Sequence, residues 1–303
     1  MIRKDNELVK YLTVYPSFSQ LFLILHKKLK MNLQNQRYIG ANNRESLVDI
    51  ITPNDFNNKL IIFIHGYMGY KDWGCWPLVE KYYTDLGYGF CKYNVSHNGG
   101  TIEQPIDFSD LDAFGENNYS KELFDLQQVI NWIELKFENL PEIYLIGHSR
   151  GGGIALLTST DKRVKKIATW ASICDIEKRF PEGTELKVWK TQGKRYVVNG
   201  RTKQKMPNNY SQYEDFIENK DNLNIETICE KSATPTLVIH GDLDTSVDIE
   251  ESRNIASWVK TRVFEIEDAE HTFGATQPWN EIDLPEHLQK VCEITKGFFE
   301  IEY

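Results

Sequence analysis

Apolar positions along this chain fall into two kinds of run, and the two kinds alternate. Leu60-Ile61-Ile62-Phe63-Ile64 is continuous and rich in β-branched residues. A run of that kind predicts a strand buried on both faces of a mostly parallel sheet. Shorter runs at 88–93, 143–146, 166–171, 236–240 and 262–266 read the same way. Between them, Leu123, Leu126, Val129, Ile130 and Ile133 recur at helical spacing within 119–137, with acidic residues near the start and Lys136 near the end. That is an amphipathic helix aligned with its own dipole. Further helices are expected at 77–86, from the glycine-rich turn through Thr158, at 249–259 and at 285–299. Ahead of all these, 37–40 and 47–51 read as a hairpin joined by Ala41-Asn42-Asn43-Arg44. Repeated strand-helix alternation implies an α/β sheet with helices on both faces.

The alternation breaks down between Cys174 and Ala233. Within that stretch Asn199-Gly200 separates two extended arms, the strongest short-range hairpin signal in the chain. Residues 174–233 are therefore expected to form a small inserted cap carrying a β-hairpin, within one domain of 31–303. Residues 1–30 are expected to be an extension ahead of that domain. Their apolar run Leu21-Phe22-Leu23-Ile24-Leu25 is too short to span a bilayer, and no small-residue cleavage site follows it.

Composition narrows the class of partner. The chain has 303 residues, 41% hydrophobic and 26% charged, with a formal net charge of −9. These values fit a globular protein whose long-range field repels polyanions, so no nucleic-acid partner is expected. Five widely spaced cysteines, odd in number and without a C-x-x-C pair, point to free thiols in a reducing, cytoplasmic compartment. No dense His/Cys/Asp/Glu ligand pattern occurs, so neither a metal nor another cofactor is required.

The chemistry centres on Gly147-His148-Ser149-Arg150-Gly151, which follows the apolar run at 143–146. A serine hydroxyl presented for attack sits on a strained strand-to-helix turn, and glycines two before and two after it let the chain turn that tightly. Such a serine needs a base, a carboxylate that holds the base in the right tautomer, and donors for the oxyanion. His271 is the best base, because it lies in a loop after an apolar strand near the end of the fold. His97, His240 and His287 are weaker candidates, and His65 and His148 are better read as hydrogen-bonded neighbours of the two turns. The carboxylate is assigned to Asp244, with Asp242 as its competitor in His240-Gly241-Asp242-Leu243-Asp244.

The elbow, the order Ser149, Asp244, His271, and a His-Gly turn after an early buried strand together resemble the α/β-hydrolase superfamily over roughly residues 36–301. That resemblance implies the α/β-hydrolase fold. It also implies an oxyanion hole from the backbone N–H groups of Tyr67, in His65-Gly66-Tyr67, and of Arg150. The Gly-His-Ser-x-Gly-Gly elbow and the cap segment 196–207 are similar to those of the feruloyl and cinnamoyl esterase group. The expected activity is thus cleavage of a small-molecule carboxylic ester through an acyl-enzyme. A serine peptidase or acyltransferase of the same fold, or a non-catalytic binding protein, are the alternatives. Two features bear on the substrate. Lys187, Lys190, Lys194, Arg195, Arg201, Lys203 and Lys205 form a basic run without an acidic residue, which reads either as a solvated hairpin face or as a field attracting acidic substrates. Tyr67, Met68, Tyr70, Trp73 and Trp76 form an aromatic loop that either covers the acyl side of the site or belongs to the core.

Overall fold

The computed structural model describes residues 31–302. The expectation for residues 1–30 lies outside them. Eight strands form one sheet in the order β1-β2-β4-β3-β5-β6-β9-β10. These are β1 (Asn32–Ile39), β2 (Glu45–Ile51), β3 (Lys59–Ile64), β4 (Gly89–Tyr93), β5 (Glu142–His148), β6 (Val164–Trp170), β9 (Thr236–Gly241) and β10 (Val263–Ile266). The pairs from β4 to β10 are parallel, while β1 and β2 add antiparallel strands at one edge. This is the α/β-hydrolase fold.

The period of two within the buried strands explains why their apolar runs are continuous. Leu60, Ile62 and Ile64 of β3, with Ile143 and Leu145 of β5, enter the core on one face of the sheet; Ile61, Phe63, Tyr144 and Ile146 enter a second core on the other. The first face is covered by α3 (Tyr119–Glu134), α4 (Arg150–Leu157), α7 (Ile225–Lys231) and α8 (Ile249–Trp258). The second is covered by α1 (Trp76–Asp85) and α9 (Glu286–Glu300), through Trp76, Val79, Tyr83, Leu288, Val291 and Phe299.

Register then places the chemistry. Parallel pairing sets Ile64 beside Gly147 and His148 beside Trp170, so the loops leaving β3, β5 and β6 emerge side by side. Strand β4 lies on one side of β3 and β5 on the other, so successive crossovers leave in opposite directions there. In open α/β sheets such a switch point opens a crevice at the carboxyl ends of the strands.

The segment between β6 and β9 contains the expected hairpin, β7 (Lys194–Val198) with β8 (Lys205–Asn209). Its loop spans six residues, 199–204. Asn199 organises it by accepting from the N–H groups of Arg201 and Thr202 at 2.9 and 3.0 Å, and Lys203 takes the positive φ of 59°. The segment also forms α5 (Gly183–Gln192), α6 (Ser211–Glu218) and α7, where the sequence pattern pointed only to the hairpin. Short lengths and thin apolar stripes hide them, since these helices are stabilised by packing rather than by propensity. The stretch 107–118 contains α2 (Leu111–Glu116), which Asp110 caps by accepting from the Ala113 N–H. This helix abuts the cap: Gln212 donates to the Gly115 carbonyl at 3.2 Å and Gln204 to the Phe108 carbonyl at 3.0 Å.

Candidate active site

Ser149 stands between β5 and α4 with φ 57° and ψ −121°, a conformation that L-residues rarely adopt. Two constraints over-determine it. The Ser149 N–H donates to the Trp170 carbonyl at 2.9 Å, which locks the turn to β6. On either side, only glycine fits: a Cβ on Gly147 would lie 2.4 Å from the Gly151 carbonyl oxygen, and one on Gly151 2.3 Å from that of Ile64. The packing that strains the serine thus also requires its flanking glycines.

His271, in the loop after β10, places Nε2 2.9 Å from Ser149 Oγ and Nδ1 2.7 Å from Asp244 Oδ2. Asp244 follows β9, and its carboxylate is fully shielded from solvent. Its Oδ1 accepts from the N–H groups of Ser246 at 2.7 Å and Val247 at 3.0 Å. Oδ2 faces His271 and also His240 Nε2, at 3.1 Å. Burial pushes this carboxyl upward, but the hydrogen bonds from His240, His271 and the Val247 N–H outweigh it and hold Asp244 well below the usual carboxylate range. An ionised Asp244 accepts, so His271 Nδ1 carries the proton and Nε2 is left to accept from the serine hydroxyl.

The structure therefore brings Ser149, His271 and Asp244 together, and it separates Asp242, whose side chain is exposed, from the group. His97 bonds Ser96 Oγ through Nδ1 at 2.8 Å, and His287 lies at the start of α9. His65 donates from Nδ1 to the Gly66 carbonyl at 2.9 Å and accepts from the Val95 N–H at 3.2 Å. His148 donates from Nε2 to the His271 carbonyl at 2.9 Å. Burial pushes His65 down to about 4; burial first, then the neighbouring His271, pushes His148 down to about 3. Both rings are neutral props for the turns. His240, a weaker candidate base by sequence, is fully buried and holds the far side of Asp244, with its Nδ1 accepting from Ser252 Oγ at 2.6 Å.

The turn after β3 touches the elbow, since a Cβ on Gly66 would lie 3.0 Å from that of Ser149. The Arg150 N–H opens helix α4 and so has no acceptor within it. Arg150 is 7% exposed; its Nε lies 2.9 Å from Glu122 Oε1 and its guanidinium sits 3.8 Å from the Tyr119 ring centre. Two cavities meet at Ser149 and His271. One, of about 410 Å³, is lined by Tyr67, Tyr119, Arg150, Arg179, Arg195 and Gln212 among others; the second, of about 370 Å³, by Met68, Trp73, Trp76 and Thr276 among others. The basic run divides accordingly: Lys187, Lys190, Lys203 and Lys205 are exposed, whereas Arg195 lines the first cavity and Arg201 the second.

A family model, BD-FAE, matches residues 48–259, more than half of the chain. The chain belongs to the BD-FAE family. This is an esterase family of the α/β-hydrolase fold, and the protein is a carboxylesterase-like hydrolase. No curated protein matches the chain. Among solved structures, Est1E from Butyrivibrio proteoclasticus with bound ferulic acid superposes with a TM-score of 0.66 at 19% identity, covering 86% of this chain and 97% of that one. The esterase domain of a Rhodothermus marinus protein gives 0.57 at 17%, covering 87% and 95%. The Pyrococcus furiosus esterase Pf2001 gives 0.59 at 15%, covering 89% and 92%. Among the described residues, no helix is long and apolar enough to cross a membrane.

Proposed function

We propose that this BD-FAE member hydrolyses small-molecule carboxylic esters by nucleophilic catalysis at Ser149. Its catalytic domain is taken as 31–303, with 174–233 as the inserted cap. The observation that carries the reading is the hydrogen-bonded chain Ser149–His271–Asp244, in the order base-ready serine, neutral imidazole, buried carboxylate. His271 Nε2 takes the Ser149 proton as Oγ attacks the ester carbonyl, and Asp244 stabilises the imidazolium that forms. The backbone N–H groups of Tyr67 and Arg150 receive the oxyanion, each donor being worth roughly 3 kcal/mol at the transition state. Collapse expels the alcohol, which takes the proton from His271. Water then attacks the acyl-enzyme by the same route and returns Ser149. That the five cysteines are buried and free supports a cytoplasmic, reducing setting.

A fluorophosphonate probe tests the nucleophile. Wild-type protein is expected to be labelled, and Ser149→Ala to be unlabelled while retaining the wild-type circular dichroism and melting profile. Labelling that survives the substitution would remove Ser149 from the role. Turnover of peptides or transfer to acyl acceptors in preference to ester hydrolysis would shift the assignment to a peptidase or acyltransferase.

A further inference from the structure

The two cavities that meet at Ser149 differ in kind. The larger holds three arginines, and their charges are unevenly matched. Arg150 pairs with Glu122 and Arg179 with Glu251, whereas Arg195 has no carboxylate partner among the described residues. Arg195 is fixed all the same: its guanidinium stacks 4.7 Å from the Trp189 ring centre and its Nη2 donates to the Arg179 carbonyl at 3.2 Å. Hydrogen-bonding capacity is left over as well, because Arg150 Nη2 and Arg195 Nε are buried without an acceptor. Arg150 is more than nine-tenths buried, and a donor in that state carries the full cost of its lost hydration unless something else satisfies it. Partial burial also holds Arg195 below the usual arginine range, against the opposing pull of Tyr67, Glu185 and Tyr119. The second cavity presents Met68, Trp73 and Trp76 and has no such surplus, since its Arg201 is paired with Asp107.

From this geometry we infer that the substrate is an ester with one anionic and one apolar half: a carboxylate occupies the Arg150–Arg195 cavity and an apolar group the Trp73–Trp76 cavity, with the scissile carbonyl at Ser149. One unmatched guanidinium favours a monoanion, and its planar fork matches a carboxylate in two-point contact. The inference rests on the ester-hydrolase reading of Ser149 and adds the substrate class to it.

Paired substrates test it. The 4-nitrophenyl half-ester of glutaric acid carries its carboxylate on the acyl side, and 4-butyryloxybenzoate carries it on the leaving side; the corresponding primary amides are the uncharged controls. For one of the two pairs, kcat/KM is expected to favour the charged member by about tenfold to a hundredfold, the range of hydrogen bonds to charged groups. The favoured pair identifies which half enters the arginine cavity. In Arg195→Gln the charged-to-neutral ratio should fall by at least tenfold, and Arg195→Lys should restore part of it. Calorimetry on Ser149→Ala with the favoured half-ester should show binding that the added Arg195→Gln substitution weakens to the same degree. Equal turnover of charged and neutral members by the wild type, or a ratio unmoved by Arg195→Gln, overturns the anion site while leaving the hydrolase reading intact. Arg195-dependent calorimetric binding without turnover of any ester supports the anion site and counts against the hydrolase reading. Absence of both binding and turnover overturns both.

Discussion

Replacing Asp244 by Asn tests the polar chain with the least change of shape. Asp244 Oδ1 accepts from two backbone N–H groups, at 2.7 and 3.0 Å, so the single carbonyl oxygen of an asparagine is drawn to that position. The amide NH₂ is thereby forced to where Oδ2 now stands, 2.7 Å from His271 Nδ1. It then donates to Nδ1, moves the imidazole proton to Nε2, and leaves Ser149 facing a donor where it needs an acceptor. A wrong tautomer in a triad of this kind costs about 10⁴ in kcat, or about 5.5 kcal/mol of transition-state stabilisation. The NH₂ also confronts the Nε2 of His240, 3.1 Å away, so the substitution destabilises the fold. For wild-type Asp244 the sign follows from its depressed pKa. Its stabilisation is complete above the ordinary carboxylate value near 3.8 and is lost as pH falls below it. The assay is kcat for a 4-nitrophenyl ester at neutral pH, with Asp242→Asn as the control. Asp244→Asn should lose three to four decades and Asp242→Asn less than one. Retention of activity within tenfold by Asp244→Asn, with collapse in Asp242→Asn, would refute the reasoning and exchange the two carboxylates.

Glu122→Gln leaves the Arg150 guanidinium buried without its carboxylate, and breaking such a pair should lower the urea-unfolding free energy by about 3–5 kcal/mol; a change under 1 kcal/mol would mean that stacking on Tyr119 is sufficient by itself. His65 and His148 should stay neutral from pH 7.5 down to 5.5 in imidazole ¹⁵N spectra, with half-protonation at about 4 and about 3. Because their folded values lie below that of an exposed histidine near 6.5, their contribution to stability is complete above about 6.5 and lost as pH falls to about 4 for His65 and about 3 for His148. A midpoint above 6 for either ring would contradict the hydrogen bonds assigned to it.

Much of the site was legible because its signals are local. The continuous run at Leu60–Ile64, the helical spacing from Leu123 to Ile133 and the glycines around Ser149 each act within a few residues. They forecast β3, α3 and the elbow with boundaries shifted by only a few positions. The cap helices were not legible, since their stability comes from neighbours distant in sequence. The contact of His240 with Asp244 was not legible for the same reason. Nothing near it in the chain says that the loop bearing Asp244 folds back to meet its ring.

By itself, then, the sequence determined the α/β order and the strained serine turn, and it nominated Ser149 and His271, because backbone sterics and side-chain periodicity are written in adjacent residues. Tertiary structure decided which of two nearby aspartates faces His271, by aiming Asp244 inward and leaving Asp242 exposed. It also decided what the arginines do. The chain shows only that Arg150 and Arg195 are basic. Burial against Tyr119 and Trp189, with one carboxylate within reach of Arg150 and none paired with Arg195, turns them into the walls of a cavity. Charge balance in a buried space is a sum over elements far apart in sequence, and folding is what brings its terms together.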